Sequence, residues 1–185
     1  MSATYIIIAV VLIVVVMGLI MGPIFSRNQR SKQFKDHYGS EYDHTVETAG
    51  GEKKAQAELD KRQKHVDELN IRPLSSKERE RYTADWLSVQ SKFVDEPGQA
   101  IVEADRLIME VMQVRNYPIS DFEQRVADVS VSYPGLADNY RAARVIALKN
   151  EQRQADTEEL RRAMIYYRSL FDQLLENEAD LETAK

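Results

Sequence analysis

Apolar positions along this chain follow one pattern before residue 26 and another after it. Residues 5–25 are 21 consecutive positions without a charged side chain. As a helix they reach about 31 Å at roughly 1.5 Å per residue, which matches a hydrocarbon core of about 30 Å. Nine of the eleven residues from Ile6 to Val16 are Ile or Val. Such β-branched residues are mediocre helix formers in water, but in lipid the backbone must satisfy its own hydrogen bonds, so the segment becomes helix. Past residue 26 the apolar residues recur three and four positions apart among charges, the period of helices that bury one face.

That second pattern resolves into elements. The helix from the span should continue to about residue 37 and end at Gly39, with a turn over 38–43 holding Tyr38 and Tyr42 near the headgroups. After Gly50-Gly51, residues 52–70 predict a very polar helix. Its thin stripe is Ala55, Leu59, Val66 and Leu69, and Glu58–Arg62 and Asp60–Lys64 make i,i+4 pairs. A helix this polar either spaces two parts or lies on a bundle's edge, and as a linker it would span about 28 Å. Ile71-Arg72-Pro73-Leu74 stops it, and Ser75-x-x-Glu78 forms a capping box for a helix to about residue 94, with Tyr82, Trp86, Val89 and Phe93 inward. Further helices are predicted over 97–115, 120–131, 136–150 and 156–175. The third of these, from residue 136, turns Leu136, Tyr140, Ala143, Ala147 and Leu148 inward. Ser120 or Asp121 caps the helix over 120–131, and Asp156 or Thr157 the last. No segment alternates with period two for long enough to make a strand. The expected architecture is therefore all-α. A tail over 1–4 precedes a transmembrane helix over 5–25 and a juxtamembrane basic segment with a polar linker helix over 26–70. A compact bundle of about five helices over 71–175 and a frayed tail over 176–185 follow.

The ends of the span set its orientation. Residues 1–4 carry no Lys or Arg, the apolar run is too long for a cleaved leader, and no A-x-A cleavage pattern follows it. An uncleaved single-pass anchor is expected. Arg27, Arg30, Lys32 and Lys35 lie just beyond the span, before the first acid at Asp36. The positive-inside rule then puts the following domain in the cytoplasm. The same four residues are candidates for lipid headgroup contact. Gly18 and Gly22 form a G-x-x-x-G, a candidate face for homodimerisation within the membrane.

Charge and composition narrow the function. From Asp36 onward there are 21 basic and 30 acidic residues, a net charge of −9, which disfavours a general nucleic-acid binder. There is no Cys, so disulfides, thiolate metal sites and Cys nucleophiles are excluded. The three His residues, His37, His44 and His65, match no metal-ligand spacing, and none lies in the predicted bundle. Phosphate-binding loops and a nucleophile elbow are absent. No catalytic residue, cofactor or metal is expected. Polar groups concentrate at Tyr117, Asp121, Glu123, Arg125 and Asp128, around the Pro118 corner. Capping and surface ion pairs account for them, and the functional alternative is an edge that docks a protein partner.

Several stretches carry a resemblance. They are Glu41-Tyr42-Asp43-x-Thr45-Val46, Ile71-Arg72-Pro73-Leu74, Trp86-x-x-Val89-Gln90-x-x-Phe93-Val94-Asp95-x-Pro97, Tyr117-Pro118, Asp121-Phe122-Glu123-x-Arg125-x-Ala127-Asp128 and Tyr140-Arg141. The chain resembles a family of uncharacterised bacterial proteins described as hypothetical, membrane or secreted. The resemblance implies a shared fold and carries no activity. Where the family would have Gly before the Tyr-Pro pair, this chain has Asn116. The expected function is a membrane-tethered helical domain that binds another protein. The alternatives are an enzyme using carboxylates or Tyr, and a structural envelope protein with its domain outside.

Overall fold

In a computed structural model that describes residues 29–119 and 121–176, together with Leu12, a helix over residues 29–38 (α1) stops at Gly39. Gly39 takes φ 53°, a left-handed conformation that glycine adopts without steric cost. The chain restarts at once as α2, Ser40–Ala49. Gly50, at φ 74°, ends α2 by donating its N–H to the Val46 carbonyl, and Gly51 leads into α3, Glu52–Glu68. The turn expected over 38–43 is thus a single-residue corner followed by a helix. Tyr38 and Tyr42 do not lie exposed beside it: they are buried with Leu59, and Phe34 and Val46 pack around them.

The pattern over 52–70 predicts a spacer, and here the structure differs. The helix forms, but Ala55 and Leu59 are fully buried and Val66 is nearly so. Its stripe rests on α2 toward one end and on α6 toward the other. Four apolar positions suffice because charged neighbours on the same face find partners. Arg62 reaches Glu58 at 3.2 Å, as expected from the spacing, whereas Asp60 pairs with Arg30 at 2.6 Å. Residues 29–70 are therefore a three-helix module packed on the bundle.

The bundle comprises five helices: α4 Ser76–Lys92, α5 Pro97–Val114, α6 Phe122–Ser132, α7 Ala137–Glu151 and α8 Thr157–Leu175, with a 3₁₀ turn at Pro134–Leu136 before α7. Local chemistry starts them where the sequence predicts. The Ser75–Glu78 and Asp156–Glu159 capping boxes both form, Pro97 takes the first turn of α5, and Asp121 caps α6 by accepting from the Gln124 N–H at 3.1 Å. Ile101, Ala104, Ile108, Val111 and Met112 of α5 are all fully buried, in one core with the inner faces of α4, α7 and α8. Trp86 stacks on Phe171 of α8 with ring centroids 4.6 Å apart. On α7 the inward positions are Tyr140, Ala143, Ile146 and Ala147. Leu148 is 40% exposed, contrary to expectation, because it lies roughly 100° round the helix from Ala147.

Among the described residues every regular element is helical, and none is long and apolar enough to cross a membrane. The span expected over 5–25 lies outside the described residues, Leu12 apart, and so do Gly18, Gly22 and Arg27.

Candidate functional site

Where the N-terminal module meets the bundle, charged groups are buried among the contacts. Glu41, in the first turn of α2, has no exposed surface. Arg62 of α3 donates from Nη1 to its Oε1 at 2.8 Å. Arg141 of α7, one hundred residues away, donates from Nη1 to Oε2 at 2.7 Å and from Nη2 to Oε1 at 3.0 Å. A carboxylate withdrawn from water is tolerable only when both oxygens are partnered, and here two guanidinium groups do this. Burial works against the charge on Arg141, but the bonds and charge of Glu41 prevail and hold its pKa above the usual arginine value.

A second acid sits at the α3–α6 contact. Asp128 is fully buried. Its Oδ1 accepts from Gln124 Nε2 at 2.7 Å and lies 3.6 Å from His65 Nε2 on α3. Its Oδ2 has no hydrogen-bond partner among the described residues. Burial pushes its carboxyl pKa up, against the opposing influence of Gln124, His65 and Arg62.

The seam also holds a cleft of about 510 Å³, within the range of small-molecule sites. Its walls come from His37 of α1, from Gln63, Val66, Asp67 and Asn70 at the end of α3, and from Arg115, Tyr117, Val131 and Tyr133 of the bundle. Arg115 is only 3% exposed. It donates from Nε to the Arg72 carbonyl at 3.2 Å, and from Nη1 to Tyr133 Oη at 3.3 Å and the Leu174 carbonyl at 3.1 Å. The corner beside it is tight. Asn116 takes φ 70°, where a glycine would be unstrained, and its Nδ2 donates to the Asn70 carbonyl at 3.2 Å.

The residues singled out as a docking edge do not form one exposed face. Tyr117 is buried, with the Arg115 guanidinium 5.9 Å from its ring centroid. Arg125 is buried and donates from Nε to Tyr140 Oη at 3.3 Å. Asp128 is the buried acid just described. Only Asp121 and Glu123 are exposed, in the first turn of α6 and at its cap. The juxtamembrane cations are partly engaged within the module: Arg30 with Asp60, and Lys35 with Asp43 at 3.1 Å, while Lys32 is exposed. Ser31 Oγ lies 2.7 Å from Tyr42 Oη and donates to Glu52 at 3.1 Å.

The sequence marks Arg62 only as a partner of Glu58 and Arg141 only within the Tyr140-Arg141 stretch, and it does not mark Arg115. A signal for Arg115 was present: it is the lone cation closing an otherwise apolar face at the end of α5, just before the Tyr117-Pro118 corner. A further polar group joins Asp105, Tyr140 and Tyr167, with the partly exposed Arg144 3.6 Å from Asp105, and burial raises both tyrosine pKa values. No group of three or more acids and histidines placed to hold a metal ion occurs among the described residues. Comparison with protein-family models, with curated proteins and with solved structures finds no match.

Proposed function

We propose that this protein is a membrane-tethered helical domain that engages another protein at the cytoplasmic face of the bilayer. The observation that carries the reading is the junction of two features: an uncharged run over 5–25, and a helix α1 that is packed into the module just after it. Phe34 lies against Tyr38 and Tyr42, and the Arg30–Asp60 and Lys35–Asp43 pairs close the sides. A domain mounted in this way is carried in a set direction by its anchor, and tethering raises its effective concentration toward partners at the same surface. Lys32, exposed on α1, remains for headgroup contact, and Arg27 lies outside the described residues. The contact face for a partner is the outer side of α4, where Leu87 is 60% exposed beside Ala84, Thr83 and Arg79 in a shallow groove. The carboxylate or tyrosine enzyme is less well supported, because both tyrosines of the acid–tyrosine cluster are buried in the bundle core.

The test uses the Cys-free chain. Ser91 is exposed on α4, so Ser91→Cys gives one accessible thiol. In intact cells a membrane-impermeant thiol reagent should leave it unmodified, and permeabilisation should allow full labelling. Labelling before permeabilisation places the domain on the other side. A photo-crosslinking residue at Leu87 should then trap a discrete partner that one at Lys61, on the exposed side of α3, does not.

A further inference from the structure

We propose that the cleft between the N-terminal module and the bundle binds a monocarboxylate with an apolar body, through Arg115. The argument starts from the donors of that guanidinium. Nε and Nη1 are used, all three acceptors are neutral, and no carboxylate pairs with it among the described residues. Nη2 has no acceptor there. Arg115 is one of the residues that line the cleft. A cation 97% withdrawn from the surface, held rigidly at three points with one end uncommitted, is a prepared anion donor. The two other seam cations described above, Arg62 and Arg141, each already hold a carboxylate.

The rest of the cleft selects among anions. One fixed cation, with Asp67 also on the wall, compensates a single negative charge and not a dianion. Val66, Ile71, Val131 and the rings of Tyr117 and Tyr133 offer apolar surface that inorganic phosphate would not use. The amides of Gln63 and Asn70 stand at the same wall and suit a peptide-like or amide-bearing body. Both a free small acid and the end of a polypeptide chain present this chemistry. Binding in the cleft does not depend on which side of a membrane the domain occupies.

The experiment titrates the full chain in lipid nanodiscs while following arginine side-chain N–H resonances by NMR, with the Arg115 signal assigned by its loss in Arg115→Gln. N-acetyl-leucine should shift that signal saturably, with a dissociation constant on the order of 1 mM, a range reached by ligands of about a dozen heavy atoms. N-acetyl-leucinamide, which lacks the charge, should bind at least about 10-fold more weakly, the worth of one charge-assisted hydrogen bond. Because Arg115→Gln also removes contacts of the fold, a second variant is needed. Gln63→Trp fills the cleft from a half-buried position whose own bond is to the exposed Asp67. It should weaken the acid about 10-fold or more with an unchanged melting temperature. Equal binding of acid and amide, acid binding that survives Gln63→Trp, or no saturable shift at all would overturn the proposal. Tighter binding of inorganic phosphate than of the acid would overturn the carboxylate assignment. A leucine-terminated peptide that binds more tightly than N-acetyl-leucine assigns the cleft to chain ends; one that binds equally or more weakly assigns it to free acids.

Discussion

The bundle interior and the seam beside it bury their surfaces by opposite means. In the bundle, α5 turns six fully buried apolar side chains into a core shared with α4, α7 and α8. At the seam the deepest groups are Glu41 and Asp128, and the apolar cluster of the module around Tyr38, Tyr42 and Leu59 is separate from that of the bundle. Apolar burial is non-directional and tolerates sliding of one helix on another. Ion pairs hold only in one geometry and contribute little net stability once desolvation is counted. The bundle is thus where stability is made. The seam, by hypothesis, fixes how the module and the α1 that leads into it are oriented on that bundle.

The comparison breaks most visibly at Trp86. It is nearly buried, stacked on Phe171, and its indole N–H has no partner among the described residues. Its contribution is therefore packing. Trp86→Ala should cost about 3–5 kcal/mol, a large part of a typical stability of about 5–15 kcal/mol, and should accelerate hydrogen exchange across every bundle helix. Trp86→Phe should cost far less, since it forfeits no hydrogen bond. A melting point in the alanine variant close to that of wild type would show that this helix is not part of the core.

At the seam, Glu41→Gln leaves Arg62 and Arg141 facing a neutral amide. Breaking a buried pair costs about 3–5 kcal/mol, and the lower figure applies because the arginine side chains keep 15% and 20% of their exposure. The loss should be local. Exchange should rise in α2 and α3 while α5 stays protected, whereas a uniform rise would mean that seam and bundle unfold as one. Replacing all three, Glu41→Met with Arg62→Leu and Arg141→Met, should restore most of the stability, because such triads are often matched by apolar groups of similar volume. The restored protein should then show a less well-defined module position, visible as broadened α2 resonances.

Legibility in the sequence divides along the same line. Helix starts in the bundle follow from residues three apart, Ser75 with Glu78 and Asp156 with Glu159, and its faces follow from periodicity, so both are local information. The module is less legible because its signals are weak or distant. Gly39 turns the chain in one residue, α3 buries only a thin stripe, and the partner of Glu41 lies one hundred residues away at Arg141. The docking edge shows the same limit. The sequence marks Tyr117, Arg125 and Asp128 as polar groups among apolar ones, but polarity alone does not say that they face inward to Arg115, Tyr140 and His65.

The smallest effects carry opposite signs with pH. Glu78 belongs to the bundle: bonds from Arg72, then from the Ser75 backbone and side chain, lower its carboxyl from 4.5 to about 2. Its contribution is present above 4.5 and is lost as pH falls toward that lower value, because the unfolded chain takes up the proton first. Ser75→Ala should cost about 1 kcal/mol at neutral pH, and Glu78→Gln should approach wild type as acid is added. Asp128 belongs to the seam, and burial raises its carboxyl above 3.8. There the folded protein holds its proton more tightly than the unfolded chain. Stability is therefore lost as pH rises from 3.8 through the raised value. Asp128→Asn keeps an oxygen for Gln124 and removes the buried charge, so it should gain on wild type as pH rises through that window. Urea midpoints of the two variants against wild type, taken across the acid range, should give slopes of opposite sign. A flat Asp128→Asn difference would mean that Asp128 is ionised as readily in the fold as in water, and that the seam is wetter than its burial implies.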